Sequence, residues 1–140
     1  RSAVASGIDG IIYPKFNTPQ LGPLVIQASA GCVFNAPIIR CENLEETLPK
    51  YLENGFKIVL LDMNGEKSLF DMELQSKNVF LIGGETQGSS SKFLVTETIA
   101  IPMAKQVESL NVSAAASILA YFIKYNLQNP EKTLKSIYPI

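Results

Sequence analysis

A chain of 140 residues, 46% of them hydrophobic, can bury one sizeable core and has the usual size of a single domain. Two cysteines, Cys32 and Cys41, and no histidine are too few soft ligands for a structural zinc site and leave no imidazole for catalysis, so no metal is expected. With 12 basic residues against 13 acidic ones, phosphate binding by this chain alone would need Lys15, Arg40, Lys67, Lys92 and Lys105 to gather on one face.

The elements follow in chain order. Arg1 to Ser6 is expected to end a helix that Gly7 stops, and the apolar run Ile8 to Tyr13 forms a strand closed by Pro14. Leu21, Leu24, Val25 and Ala28 recur at helical spacing, which predicts a helix over 18–31 capped at Gly31. A short strand over Ala36 to Cys41 comes next. Asn43 followed by Glu46 is a capping-box pattern for a helix that runs to Gly55, with Pro49 as a point of kinking. Phe56 to Asp62 is nearly continuous apolar sequence, the pattern of a strand covered on both faces. Asn64 to Lys77 reads as a turn and a mobile surface loop with one helical turn around Leu69 to Met72. Strands over Val79 to Ile82 and Glu97 to Ile101 are separated by a short helical piece over Ser89 to Val95, and an apolar helix over Val112 to Tyr125 closes the domain. Alternation of this kind predicts an α/β fold with a mostly parallel sheet and helices on both faces. No apolar run has the length of a membrane span, and the first residues lack the regions of a secretory signal, so a soluble cytoplasmic protein is expected.

Two stretches carry more than fold. VFLIGGETQG, residues 79–88, is a buried-type strand entering a glycine-rich loop that holds Glu85. IPMAKQVESLNVSAAA, residues 101–116, runs from a strand end through a polar loop into a helix of small residues. Such places in open α/β sheets receive ligands, because loop amides and helix N-termini point free N–H groups into a crevice. The glycines alone also fit an ordinary strand-to-helix turn, and Asn111 also fits an N-cap.

In order and spacing the two stretches resemble motifs two and three of the TrmH/SpoU family of RNA 2′-O-ribose methyltransferases, within the SPOUT superfamily. The opening RSAVASGIDGIIYPK is similar to the second half of the family's first motif, with Arg1 as its arginine. On this resemblance, residues 1–140 are a SpoU-type catalytic domain truncated on its N-terminal side, without the asparagine of motif one or any upstream RNA-binding domain. The resemblance further implies a deep C-terminal trefoil knot, which no periodicity could predict.

The implied reaction moves a methyl group from S-adenosylmethionine to a ribose 2′-hydroxyl of a structural RNA, ribosomal rather than transfer RNA. The family's catalytic positions fall on Arg1, Glu85, Ser109 and Asn111, with Arg1 either a base or an electrostatic element near the phosphate. Its cofactor positions fall on Ile82, Gly83, Gly84, Gly88, Ile101, Met103 and Leu110. Lys105 and Thr86 stand where glycine is frequent in the family. A homodimer through the C-terminal helix is implied as well. The competing reading is a non-catalytic RNA-binding or ribosome-assembly factor that keeps the fold.

Overall fold

The computed structural model describes residues 1–16, 18–82, 94–107 and 109–130. Four α-helices and six strands lie among them: α1 (Ser2–Ser6), β1 (Ile11–Pro14), α2 (Pro23–Ala28), β2 (Ile38–Cys41), α3 (Leu44–Glu53), β3 (Lys57–Leu61), β4 (Lys67–Ser68), β5 (Asn78–Ile82), β6 (Glu97–Ala100) and α4 (Val112–Gln128). Gly7 stops α1 with φ 78°, in the left-handed region that favours glycine. The helix predicted over 18–31 is shortened to α2, because Pro23 sits in its first turn and holds Gly22 extended before it. At its other end Ala30 and Gly31 both have positive φ, and the chain passes into a 3₁₀ turn over Cys32–Asn35.

Asn43 caps α3 as expected. Its side chain accepts the Glu46 N–H at 2.8 Å, and its amide donates to the Glu46 carboxylate at 3.0 Å. Pro49 is accommodated inside the helix.

All described strands pair in parallel, in two sheets rather than one: β1 with β2, and a four-stranded sheet in the order β4-β6-β3-β5. Ile12 of β1 nonetheless packs on the core of the larger sheet. The apolar run of β3 makes it a middle strand, with β5 and β6 on either side, and its side chains alternate between two covered faces. Ile58 and Leu60 face Leu48 of α3 together with Val79 and Leu81 of β5. Val59 and Leu61 face Leu119 of α4 together with Ile99. Helices therefore cover both faces, as the alternation of elements predicted.

The segment 64–77 departs from its reading as a mobile surface loop. It contributes β4 to the sheet edge, while the helical turn expected around Leu69 to Met72 is present as a 3₁₀ turn over Leu69–Asp71. Three-residue spacing places Leu69 and Met72 on one side of that turn, and both are buried in the core under α4. Among the described residues, no helix is long and apolar enough to cross a membrane.

Candidate functional site

Three neighbouring parallel strands end at the same edge, where Leu61 of β3 is in register with Ile82 of β5 and with Ile99 of β6. The crevice beyond the carboxyl ends of such strands is where open α/β sheets take ligands. A cavity of about 290 Å³ lies there. Leu61, Asp62 and Met63 line it from the end of β3, Ile82 from β5, and Ile101 and Met103 from the segment after β6. Ser109 and Leu110 come from the loop before α4, and Val112 and Ala115 from the first turn of that helix. Pro102 lacks an N–H and cannot extend the β6 ladder, so the chain turns away there to form this wall.

Ile82, Ile101, Met103 and Leu110, read from the sequence as an apolar ligand slot, thus share one cavity, and Ser109 lies in it with them. Gly83, Gly84, Glu85 and Gly88 lie outside the described residues. Leu61, Asp62, Met63, Val112 and Ala115 were missed. The available signal was the abrupt end of an apolar run at an acidic residue, the mark of a central strand reaching its carboxyl end. Asp62 Oδ1 accepts the Asn64 N–H at 2.8 Å, which fixes the carboxylate in a turn.

Asn111 caps α4, its side chain accepting the Ser113 N–H at 2.8 Å. The capping role is therefore observed, and it occupies the side-chain oxygen of Asn111. Arg1 lies in an adjoining cleft of about 480 Å³, with Ser2, residues 24, 25, 28 and 29 around α2, and Ser113. The first turn of α4 stands between the two spaces: Val112 and Ala115 face the first, and Ser113 faces the second. Helix α1 is fixed against α4 by polar contacts at both ends. Ser117 Oγ is 2.7 Å from Ser2 Oγ and donates to the Ser113 carbonyl, and Lys124 Nζ donates to the Ala5 carbonyl at 3.2 Å. Arg1 is thereby tied to the same helix that carries the apolar cavity's wall.

The cations proposed for a phosphate-binding face are largely committed elsewhere. Lys15 pairs with Glu42, Arg40 sits 5.6 Å over the Tyr13 ring, and Lys67 pairs with Glu97 at 3.4 Å. Lys92 lies outside the described residues, and Lys105 is exposed. Glu97 also takes Lys57, whose hydrogen bond holds the carboxyl below its ordinary pKa against the opposing effect of burial. Cys32 and Cys41 are free thiols.

A partly open, mainly apolar cavity with one carboxylate and one hydroxyl among the described residues suits a ligand with an extended apolar body and few polar groups. The sequence comparisons agree with the geometry. The family model described as the SpoU rRNA Methylase family matches residues 1–121. A Staphylococcus aureus (strain COL) protein assigned to the TrmH family of tRNA/rRNA methyltransferases is 37% identical over 125 residues, covering 86% of this chain and 50% of the relative. Among solved structures, the SpoU methyltransferase AviRb from Streptomyces viridochromogenes, in complex with AdoMet, superposes with a TM-score of 0.79 at 27% identity, over 91% of this chain and 53% of that one. An AdoMet-bound rRNA methyltransferase from Sinorhizobium meliloti gives a TM-score of 0.79 at 27% identity, over 91% and 49% of the two chains. The chain spans about half the length of the curated relatives it matches.

Proposed function

The chain belongs to the SpoU rRNA methylase family, and from that membership we propose that it is the catalytic domain of an RNA methyltransferase that uses S-adenosylmethionine to methylate a ribose 2′-hydroxyl. The observation that carries this reading is the cavity at the strand ends, where Ile82, Ile101, Met103, Ser109 and Leu110 converge from three separate segments. Two related structures hold AdoMet, and the apolar walls here fit the adenine and methionine portions of such a molecule. On the family resemblance we also assign Gly83, Gly84 and Gly88 to cofactor binding and Glu85 to the catalytic groups.

When bound, the cofactor supplies a methyl group already activated by its sulfonium. What remains for the chain is positioning. The apolar walls hold the donor at the strand ends, and the first turn of α4 sets the donor cavity beside the Arg1 cleft. A guanidinium is effectively always charged, so we assign Arg1 to holding the phosphate next to the target ribose, with Ser109 orienting the hydroxyl. Asn111 keeps the helix start in place.

The target we propose is ribosomal RNA, the substrate class in the family's description. We also propose that the chain is one domain of a longer protein, since it spans about half of its relatives, that it pairs through α4, and that its C-terminal part forms the family's trefoil knot. Isothermal titration of S-adenosylmethionine and S-adenosylhomocysteine into the protein tests the cofactor assignment. Micromolar binding that Leu110→Asp abolishes is expected, and no binding of either to the folded protein would overturn it. Mapping 2′-O-methyl marks in RNA from cells lacking the protein tests the target. Loss of a ribosomal mark is expected, and an unchanged ribosomal map with a lost transfer-RNA mark would reassign the substrate.

A further inference from the structure

Among the described residues, Asp62 is the one charged side chain lining a cavity whose other walls are apolar apart from Ser109. It stands at the end of the central strand β3, where its N–H is fixed to the Ile99 carbonyl at 2.9 Å. One carboxylate oxygen is oriented by the Asn64 N–H. The other has no hydrogen-bond or ion-pair partner among the described residues, and the side chain is half-buried. A half-buried carboxylate beside apolar walls, with no cation of its own among the described residues, favours a ligand that brings one, because the attraction between charges at a protein surface is stronger than in bulk water.

Resting on the proposed use of S-adenosylmethionine, we infer that Asp62 is a specificity-determining residue that makes the donor cavity select the positively charged sulfonium donor over its neutral thioether product. Methyl transfer removes the positive charge from sulfur while both molecules keep the α-ammonium, so an attraction to the sulfonium is present for the donor and absent for the product. The same carboxylate would thereby aid loading of one and departure of the other.

Calorimetric titration with three probes tests this: S-adenosylmethionine, S-adenosylhomocysteine, and sinefungin, which carries an amine in place of the sulfonium. Asp62→Asn keeps an oxygen to accept the Asn64 N–H and removes the charge, with an amide NH2 in place of the second oxygen. It is expected to weaken S-adenosylmethionine and sinefungin by about fivefold to tenfold while S-adenosylhomocysteine changes by less than about twofold. In the wild-type protein the preference for the donor over the product should shrink as salt is raised, a readout that needs no variant. Equal weakening of all three probes, or a salt-independent preference, would show that Asp62 serves a group shared by donor and product and would overturn the inference alone. Failure of all three to bind the wild-type protein would overturn it together with the reading on which it rests.

Discussion

Gly65 stands where the chain leaving β3 turns back across β6, so close that a Cβ there would lie 2.2 Å from the Ile99 carbonyl carbon and 2.5 Å from the Ala100 nitrogen. Both are backbone atoms of a paired strand and cannot move without breaking the β6 ladder. Gly65→Ala is therefore expected to cost about 2–4 kcal/mol, at or above the usual range for overpacking, and to weaken cofactor binding by displacing Asp62 and Ile101; urea unfolding and calorimetry measure the two effects. Gly10 gives the contrast. A Cβ there would meet Ile39 Cδ1 at 2.6 Å, but that is the end of a flexible, partly exposed side chain, so Gly10→Ala should cost about 1 kcal/mol or less. Arg1 supplies a prediction about chemistry. If it acts as a fixed cation on phosphate, Arg1→Lys should retain a measurable part of the methyl-transfer rate while Arg1→Ala loses about 100-fold or more, with S-adenosylmethionine affinity unchanged in both. Single-turnover kinetics with radiolabelled donor separates this from a base role, in which both variants would be equally inactive.

Helix α4 joins the two halves of the site, and its start is set by a single side chain. Removing the cap in Asn111→Ala should destabilise the protein by about 1 kcal/mol, whereas Asn111→Asp should retain most of the stability. If the residue acts only through the helix, Asn111→Asp also retains transfer activity, and thermal melting read beside activity decides the point. The cap was legible in the sequence because an asparagine before a run of helix formers has a local cause. So was the capping box of α3, and so was the burial of β3, whose uninterrupted apolar run suits a strand covered on both faces and little else. In the segment 64–77 the helical turn was legible, but its strand and its burial were not. Its polar residues resemble a loop, and the burial of Leu69 and Met72 depends on α4, which begins at least 40 positions later in the chain. The site divides the same way: the residues on either side of Pro102 could be found from local pattern, whereas the local pattern marks Asp62 only as a strand end, and its place in the site depends on the sheet order that puts β3 between β5 and β6.

At the scale of the molecule, three strands distant in sequence are tied by one carboxylate. Glu97 of β6 takes Lys57 from β3 and Lys67 from β4, and its carboxyl is held below the ordinary value of 4.5, chiefly by the Lys57 hydrogen bond. A carboxyl whose folded-state pKa is depressed adds stability that is present in full above its unfolded value and is lost as pH falls through its folded value. Glu97 should therefore contribute to acid unfolding below about pH 4.5. Glu97→Gln is expected to cost about 1 kcal/mol at pH 7, the upper range for a partly exposed pair, and to make the acid limb of the stability curve shallower. One face of the sheet is covered by α4, and that helix leaves Tyr121, Tyr125 and Leu127 at least half exposed. Large apolar and aromatic groups left along one helix are the material of an isologous contact between two copies. Aspartate at Tyr121 would place a charge in that contact without touching the buried Leu119 side. In sedimentation velocity, the wild-type protein is expected to run as a dimer and Tyr121→Asp as a folded monomer; a wild-type monomer across micromolar concentrations would remove α4 as the pairing surface.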